Sequence, residues 1–243
     1  MSKKTLFCVS DIHGFYDEFN KALYDAGYED DNENHYLIVL GDCFDRGNKP
    51  IEVMTALHNK PRTILVRGNH EDLFLDMCSR GYPCFHDYSN GTWDTFCKIR
   101  HTITNPEVSA MSVYFEVHPF LESMVDYFET KNYVFVHGWI PCEEDNGVYY
   151  PLDWRRSDIE EWEKARWLNP FKLSKTEVIV PGKKIVCGHW HCSTGWAEEF
   201  GLSEYGTDAK WDPYHSEHFI AIDACTALTH KVNVLVLEDE FLS

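Results

Sequence analysis

Three times within the first 78 residues, a short apolar run of β-formers gives way to a polar loop and then to a segment of helical spacing. Thr5 to Ser10 (TLFCVS) is followed by Phe15 to Ala26, where apolar residues fall at 15, 16, 19, 22, 23 and 26. Tyr36 to Leu40 (YLIVL) precedes a helix that Pro50 opens and that runs to about His58. Thr63 to Val66 (TILV) precedes a helix over Glu71 to Cys78. Continuous apolar runs of this length suit strands buried on both faces, and proline is favoured in a first helical turn. Strand, loop, helix in alternation is the pattern of an α/β sheet with crossover helices. The expected fold is therefore α/β, a layered sheet sandwich with flanking helices. Residues 79–130 carry no strong strand signal and read as a helical insertion, broken at Ser89-Asn90-Gly91 and Thr104-Asn105-Pro106. Strand signals return at Tyr133 to Val136, Lys184 to Cys187, Phe219 to Ile222 and Lys231 to Leu237. With no internal repeat or linker, residues 1–243 are expected to form one domain.

The polar residues that could do chemistry cluster where these strands end. They are Ser10-Asp11-Ile12-His13-Gly14, Gly41-Asp42-Cys43-Phe44-Asp45-Arg46-Gly47, Arg67-Gly68-Asn69-His70-Glu71, His137-Gly138 and Gly188-His189-Trp190-His191. Loops at the carboxyl ends of strands form the ligand crevice of open α/β sheets. Any one of these segments alone would pass for a surface turn, but five at one rim would not. A mixed Asp, His and Asn set suits hard or borderline ions such as Mn, Fe or Zn. Two such ions about 3.5–4 Å apart can clamp a phosphoryl group. A carboxylate must then bridge them, and Asp42 is the candidate.

The 22 Lys+Arg against 40 Asp+Glu give a net charge of −18. That excludes the surplus positive charge on which non-specific nucleic-acid or anionic-membrane binding depends. A small anionic substrate stays possible, because bound metal reverses the sign of a local field. The longest apolar runs are too short to span a bilayer, and no secretory segment follows Met1. Nine cysteines without regular spacing then read as reduced thiols of a cytoplasmic protein, Cys43 among them as a packing thiol.

As a set, and in this order from Asp11 to Asp223, the motifs resemble the calcineurin-like metallophosphoesterase superfamily. The Asp45-Arg46-Gly47 and Asn69-His70-Glu71 endings, with Asn90-Gly91-Thr92-Trp93, resemble its bacterial and phage-type phosphoprotein phosphatase branch. The resemblance implies that Asp11 and His13 bind one metal, that Asp42 bridges, and that Asn69, His137 and His189 bind the other. It implies that His70 is the general acid, oriented by Asp45, and that Arg46 grips phosphate. A second phosphate-binding Arg is implied after His137-Gly138, with Arg166 preferred over Arg155 and Arg156. The expected reaction is phosphomonoester hydrolysis by metal-activated hydroxide, without a covalent enzyme intermediate. Its expected substrate is a phosphorylated protein or a small phosphoester.

Two departures keep the substrate open. The fifth motif ends in His191 where such phosphatases have Thr, as on the phosphodiesterase side of the superfamily, so His191 is a further candidate metal ligand. Gly188-His189-Trp190 and Ala221-Ile222-Asp223 resemble the symmetric dinucleoside tetraphosphate hydrolases, which supply the alternative function. Asp223 could orient a ligating histidine from behind. Trp139 and Trp190 could wall the pocket. The stretch Ser193 to Ser216 reads as a long loop, a candidate lid.

Overall fold

The computed structural model describes residues 3–103 and 109–242; the Thr104-Asn105-Pro106 break lies outside them. The amino-terminal half contains β1 (Lys4–Val9), α1 (Tyr16–Asp25), β2 (His35–Leu40), α2 (Pro50–Asn59) and β3 (Thr63–Val66). Four helices then follow: α3 (Asn69–Arg80), α4 (Phe85–Asn90), α5 (Thr92–Thr102) and α6 (Ala110–Glu122). The second half contains β4 (Phe128–Glu129), β5 (Tyr133–Phe135), a hairpin of β6 (Cys142–Asp145) and β7 (Val148–Pro151), α7 (Ile159–Ala165) and α8 (Pro170–Leu173). It ends with β8 (Lys184–His191), α9 (Cys192–Phe200), β9 (Tyr214–His215), β10 (Phe219–Asp223), α10 (Thr226–Thr229) and β11 (Leu235–Asp239).

Two sheets form, ordered β11-β1-β2-β3 and β4-β5-β8-β10-β9. Strands β1, β2 and β3 run parallel, as do β5, β8 and β10, while β11, β4 and β9 are antiparallel edges. Because side chains alternate along a strand, each sheet has two apolar faces to bury. Leu6, Cys8, Ile38, Leu40 and Val66 of the first sheet meet Phe135, Val186, Ile220 and Ile222 of the second. Their neighbours Phe7, Val9, Leu37 and Val39 pack outward on Phe19, Leu23, Val53 and Phe74 of the helices. On the far side Val134, Ile185 and Phe219 pack on Trp139, Trp154, Trp162 and Phe171. The result is helix, sheet, sheet, helix, the layered sandwich that the apolar runs predict. All six parallel strands deliver their carboxyl ends to one rim. Among the described residues, no helix is long and apolar enough to cross a membrane.

The structure departs from the sequence expectations at several places. Strand β8 continues through His191 instead of ending at Cys187, because its pairing with β10 resumes past an irregularity at Asp223↔His191. The expected loop from Ser193 begins as helix α9, and only the stretch after its left-handed cap at Gly201 lacks regular structure until β9. The last strand starts at Leu235, not Lys231. The hairpin β6–β7 carried no apolar signal, since Cys142–Asp145 reads Cys-Glu-Glu-Asp and is mostly exposed.

Candidate active site

The rim is built on strained backbone. Asp11, His13, Asp42, Asp45, Arg46 and His189 all hold positive φ, between 49° and 64°. Non-glycine residues persist in that region only where the surroundings over-determine them. Here the surroundings are visible. His13 N–H and Gly14 N–H donate to the carbonyls of Asp42 and Cys43, at 2.9 and 2.8 Å, stitching the first loop to the second. The Glu71 carboxylate, fully buried, accepts three backbone N–H bonds, from Asp42, Cys43 and Gly68, at 2.8–2.9 Å. Two glycines let carboxylates lie flush against main chain. A Cβ at Gly68 would press into Asp42 Oδ1, and one at Gly188 into Asp11 Oδ2.

On this frame the side chains converge. Asp42 is shared between two triads, one with His13 and His70 and one with His137 and His189, each with its potential ligand atoms within 4.8 Å of one another. His137 Nε2 lies 3.4 Å from Asp42 Oδ1 and 2.7 Å from Asn69 Oδ1. Its Nδ1 faces the Leu40 carbonyl at 2.6 Å, and His13 Nδ1 faces that of Phe44 at 3.0 Å. These second contacts fix ring orientation in the manner typical of metal-bound imidazoles. Asp11 stands beside His13, 4.0 Å from its Nε2, and accepts the His189 N–H at 3.0 Å. Helix α3 begins at Asn69, two residues before the expected start, so Asn69 and His70 occupy its first turn. There the His70 N–H donates to Asp42 Oδ1 at 3.0 Å.

The electrostatics fit a cation. Asp11 and Asp42 are buried carboxylates with no Lys or Arg partner among the described residues, and such charges need compensation. Burial, then the neighbouring His137, pushes the His189 pKa down to about 3. Burial, then His70 and Arg46, likewise holds His13 well below the ordinary value. Both are therefore neutral imidazoles, the form that ligates metal. Burial works against the Asp42 charge, yet His137 and His70 hold its pKa well below the carboxylate range. Oxygen and imidazole donors around a shared buried carboxylate suit a pair of Mn, Fe or Zn ions.

His70 differs from the other imidazoles. Its Nδ1 lies 2.6 Å from Asp45 Oδ2, and its Nε2 faces Arg46 at 3.3 Å and Asp42 at 3.8 Å. Burial opposes its charge, but Asp42 and Asp45 prevail and raise its pKa. Arg46 also reaches His13 Nε2 at 3.2 Å, so its guanidinium lies over the cluster.

The remaining expected residues lie outside the two triads. Arg166, expected as a second phosphate clamp, is buried and has its terminal nitrogens on Asp72, at 2.6 Å, and on Asp126. Arg155 is bound by Glu129 and Arg156 pairs with Asp153. Each of these guanidiniums is engaged by a carboxylate that the sequence separates from it, except Arg156 with its neighbour. His191 lies outside both triads. Its Nδ1 meets the Tyr205 hydroxyl at 3.0 Å and its Nε2 is 3.7 Å from Asp223. Trp139 is core, donating Nε1–H to the Val178 carbonyl at 2.8 Å, and Trp190 packs against the same cluster. Two indoles border the site edge-on to His189, the half-exposed Trp167 at 5.7 Å and Trp190 at 6.3 Å. Cys43 is fully buried, and burial raises its thiol pKa well above the ordinary value. Sequence reading missed Glu71 as a structural clamp, although its fixed place after Asn69-His70 was visible. It also missed Thr92 and Thr95, which bond Asp45 from 47 and 50 residues away.

Residues 4–193 match the family model described as calcineurin-like phosphoesterase. A symmetrical bis(5'-nucleosyl)-tetraphosphatase of Buchnera aphidicola is 38% identical over 66 residues, covering 27% of this chain and 23% of that protein. Serine/threonine-protein phosphatase 2 of Salmonella typhimurium is 27% identical over 158 residues, covering 63% of this chain and 69% of that protein. The chain matches about a quarter of the length of the tetraphosphatases. A protein serine/threonine phosphatase from Saccharomyces cerevisiae shares the fold, with a TM-score of 0.57 at 14% identity over 99% of this chain and 81% of that one.

Proposed function

The chain belongs to the calcineurin-like phosphoesterase family, and we propose that it hydrolyses phosphomonoesters, with Ser/Thr phosphoprotein as the leading substrate class. The observation that carries this reading is the His70–Asp45 pair, 2.6 Å apart, set against a buried Asp42 that two histidine triads share. Asp11, His13 and Asp42 would hold one divalent or trivalent ion, and Asp42, Asn69, His137 and His189 the other. When bound, such ions supply Lewis acidity toward phosphoryl oxygens and lower the pKa of the attacking water.

The chain's own residues do the rest. Arg46 neutralises and orients the phosphate oxygens. His70, whose charged form Asp42 and Asp45 favour against burial, gives its Nε2 proton to the leaving oxygen as the P–O bond breaks and the electron pair passes to that oxygen. Asp45 accepts from Nδ1 and stabilises the charged ring. The net charge of −18 speaks against nucleic-acid and anionic-membrane partners, and we read the chain as a cytoplasmic enzyme of one domain over 1–243.

A second reading, cleavage of a dinucleoside polyphosphate, draws on His191, which Tyr205 and Asp223 hold beside the site. The test is turnover of a phosphoserine peptide and of diadenosine tetraphosphate, side by side, by metal-stripped protein resupplied with Mn. Phosphate release from the peptide alone supports the monoesterase. Efficient cleavage of the dinucleotide with little on the peptide replaces it by the second reading. No turnover of either refutes both.

A further inference from the structure

We propose that Thr92, at the start of α5, is a positioning residue for the proton-donating pair: its hydroxyl fixes the plane in which the Asp45 carboxylate faces His70. The kinetic part of this inference rests on the phosphoesterase reading above.

Asp45 is fully buried, and its two oxygens are treated unequally. Oδ2 accepts from His70 Nδ1 at 2.6 Å and from the Thr92 hydroxyl at 2.7 Å. Oδ1 has no hydrogen-bond partner among the described residues. An aspartate carboxylate rotates easily about its terminal torsion, so nothing intrinsic to Asp45 fixes the plane it presents to His70. The Thr92 hydroxyl fixes that plane. Its side chain is fully buried and β-branched, with little rotational freedom of its own. A threonine in a helix commonly turns its hydroxyl back onto the main chain. This one donates to a carboxylate from another element.

The same helix holds the backbone of the 45–47 loop, where Asp45 and Arg46 carry φ of 64° and 57°. Thr95 Oγ1 accepts the Asp45 N–H at 3.0 Å, and Lys98 Nζ donates to the Gly47 carbonyl at 2.8 Å. Gly91, at φ +85°, packs so near Arg46 that a Cβ would come within 2.7 Å of its N. The insertion thus fixes both the acid's partner and the phosphate-gripping arginine, although it contributes no ligand.

A hydroxyl that merely satisfied burial would affect all substrates alike. One that aligns the proton donor matters most where the leaving oxygen needs the proton. The experiment compares Thr92→Val and Thr92→Ser with wild type, all Mn-loaded, on p-nitrophenyl phosphate and on a phosphoserine peptide. Val should lower kcat on the peptide about tenfold or more and on the aryl ester about threefold or less, as expected for loss of one hydrogen bond to a charged acceptor. Ser should recover most of the peptide rate, with equal metal content throughout. Equal losses on both esters, no loss on either, or a Ser variant no better than Val would overturn the proposal. If Val does not fold, Thr92→Cys, a weak donor of similar size, takes its place in the same comparison.

The low-field proton NMR signal of the His70 Nδ1–H in Zn-loaded protein, assigned by its loss in His70→Asn, gives a second readout. It should move in the Val or Cys variant and return in Ser. An unmoved signal overturns the proposal, and this holds even if the wild type hydrolyses neither ester, a result that would instead refute the function reading.

Discussion

The two sheets contribute to the same rim by different means. The first supplies its carboxylates and the proton-donating pair from loops whose backbone is left-handed at Asp11, His13, Asp42, Asp45 and Arg46. The second supplies His137 just past β5 and His189 and His191 within β8. On the first side, geometry is enforced by side chains that bind backbone: Glu71 on three amides, Thr95 on Asp45, Lys98 on Gly47. On the second, His189 is left-handed at the irregularity in β8, with its N–H on Asp11, and His137 is turned by the Leu40 carbonyl, so both lean on the first sheet. The difference lies in which side supplies the supports. Carboxylate and imidazole alike are brought in by the main chain, since His13 and His189 are left-handed as Asp11 and Asp42 are.

That contrast predicts where the site breaks most completely. Asp42→Asn should abolish turnover and weaken binding of both ions beyond the roughly 10–100-fold that an outer partner costs. Metal content after dialysis, measured beside activity, checks this; an inactive variant that still holds two ions would contradict the shared-ligand role. Removal of metal by chelation should silence the wild type, and Mn should restore it. Next comes His70→Asn, expected to reduce kcat about 10²–10⁴-fold on a poor leaving group while both ions stay bound. Full activity on such a substrate would remove His70 from the role of acid.

Glu71→Gln tests the backbone clamp without touching a ligand. A single amide oxygen cannot take three N–H donors, and its NH₂ would face at least one of them. The expected cost is about 3 kcal/mol of stability, from unsatisfied buried donors. A denaturation midpoint within error of wild type would show the loop to be held by other means.

The smallest effect belongs to the outer edge of the second sheet. Hydrogen bonds from Arg155, then Lys183, bring the Glu129 pKa down from 4.5 to about 2. A depressed carboxyl contributes stability above its unfolded value and loses it on acidification. The stability difference between wild type and Glu129→Gln should therefore be full above pH 4.5 and fade toward pH 2, with a size of about 1 kcal/mol for a partly exposed pair. A difference that did not change with pH would assign the effect to packing.

Much of this was legible in the chain. Buried strands announce themselves as apolar runs, so β1, β2, β3 and β10 were readable to within a residue or two. Ligand-type residues directly after such runs could only gather at one rim. The hairpin β6–β7 was not readable, because an exposed pair of acidic strands has no hydrophobic period. Nor was the fate of Arg166. Its neighbours Asp72 and Asp126 lie 94 and 40 residues away, and no local pattern says that both will turn toward it. Helix α9 was hidden for a related reason: Ser193, Thr194 and Gly195 are buried there without an apolar side chain among them.

The sequence by itself determined the alternation of elements, the order of the ligand-type residues and the strand ends that carry them, because these depend on local periodicity and chemistry. Only the tertiary structure decided which residues face one another. It put Asp42 between two triads, gave Asp45 to His70 and to Thr92, and paired Arg166 with two aspartates. Those pairings are contacts between segments far apart in the chain. Their geometry depends on how two twisted sheets and an inserted helix pack, which no window of sequence contains.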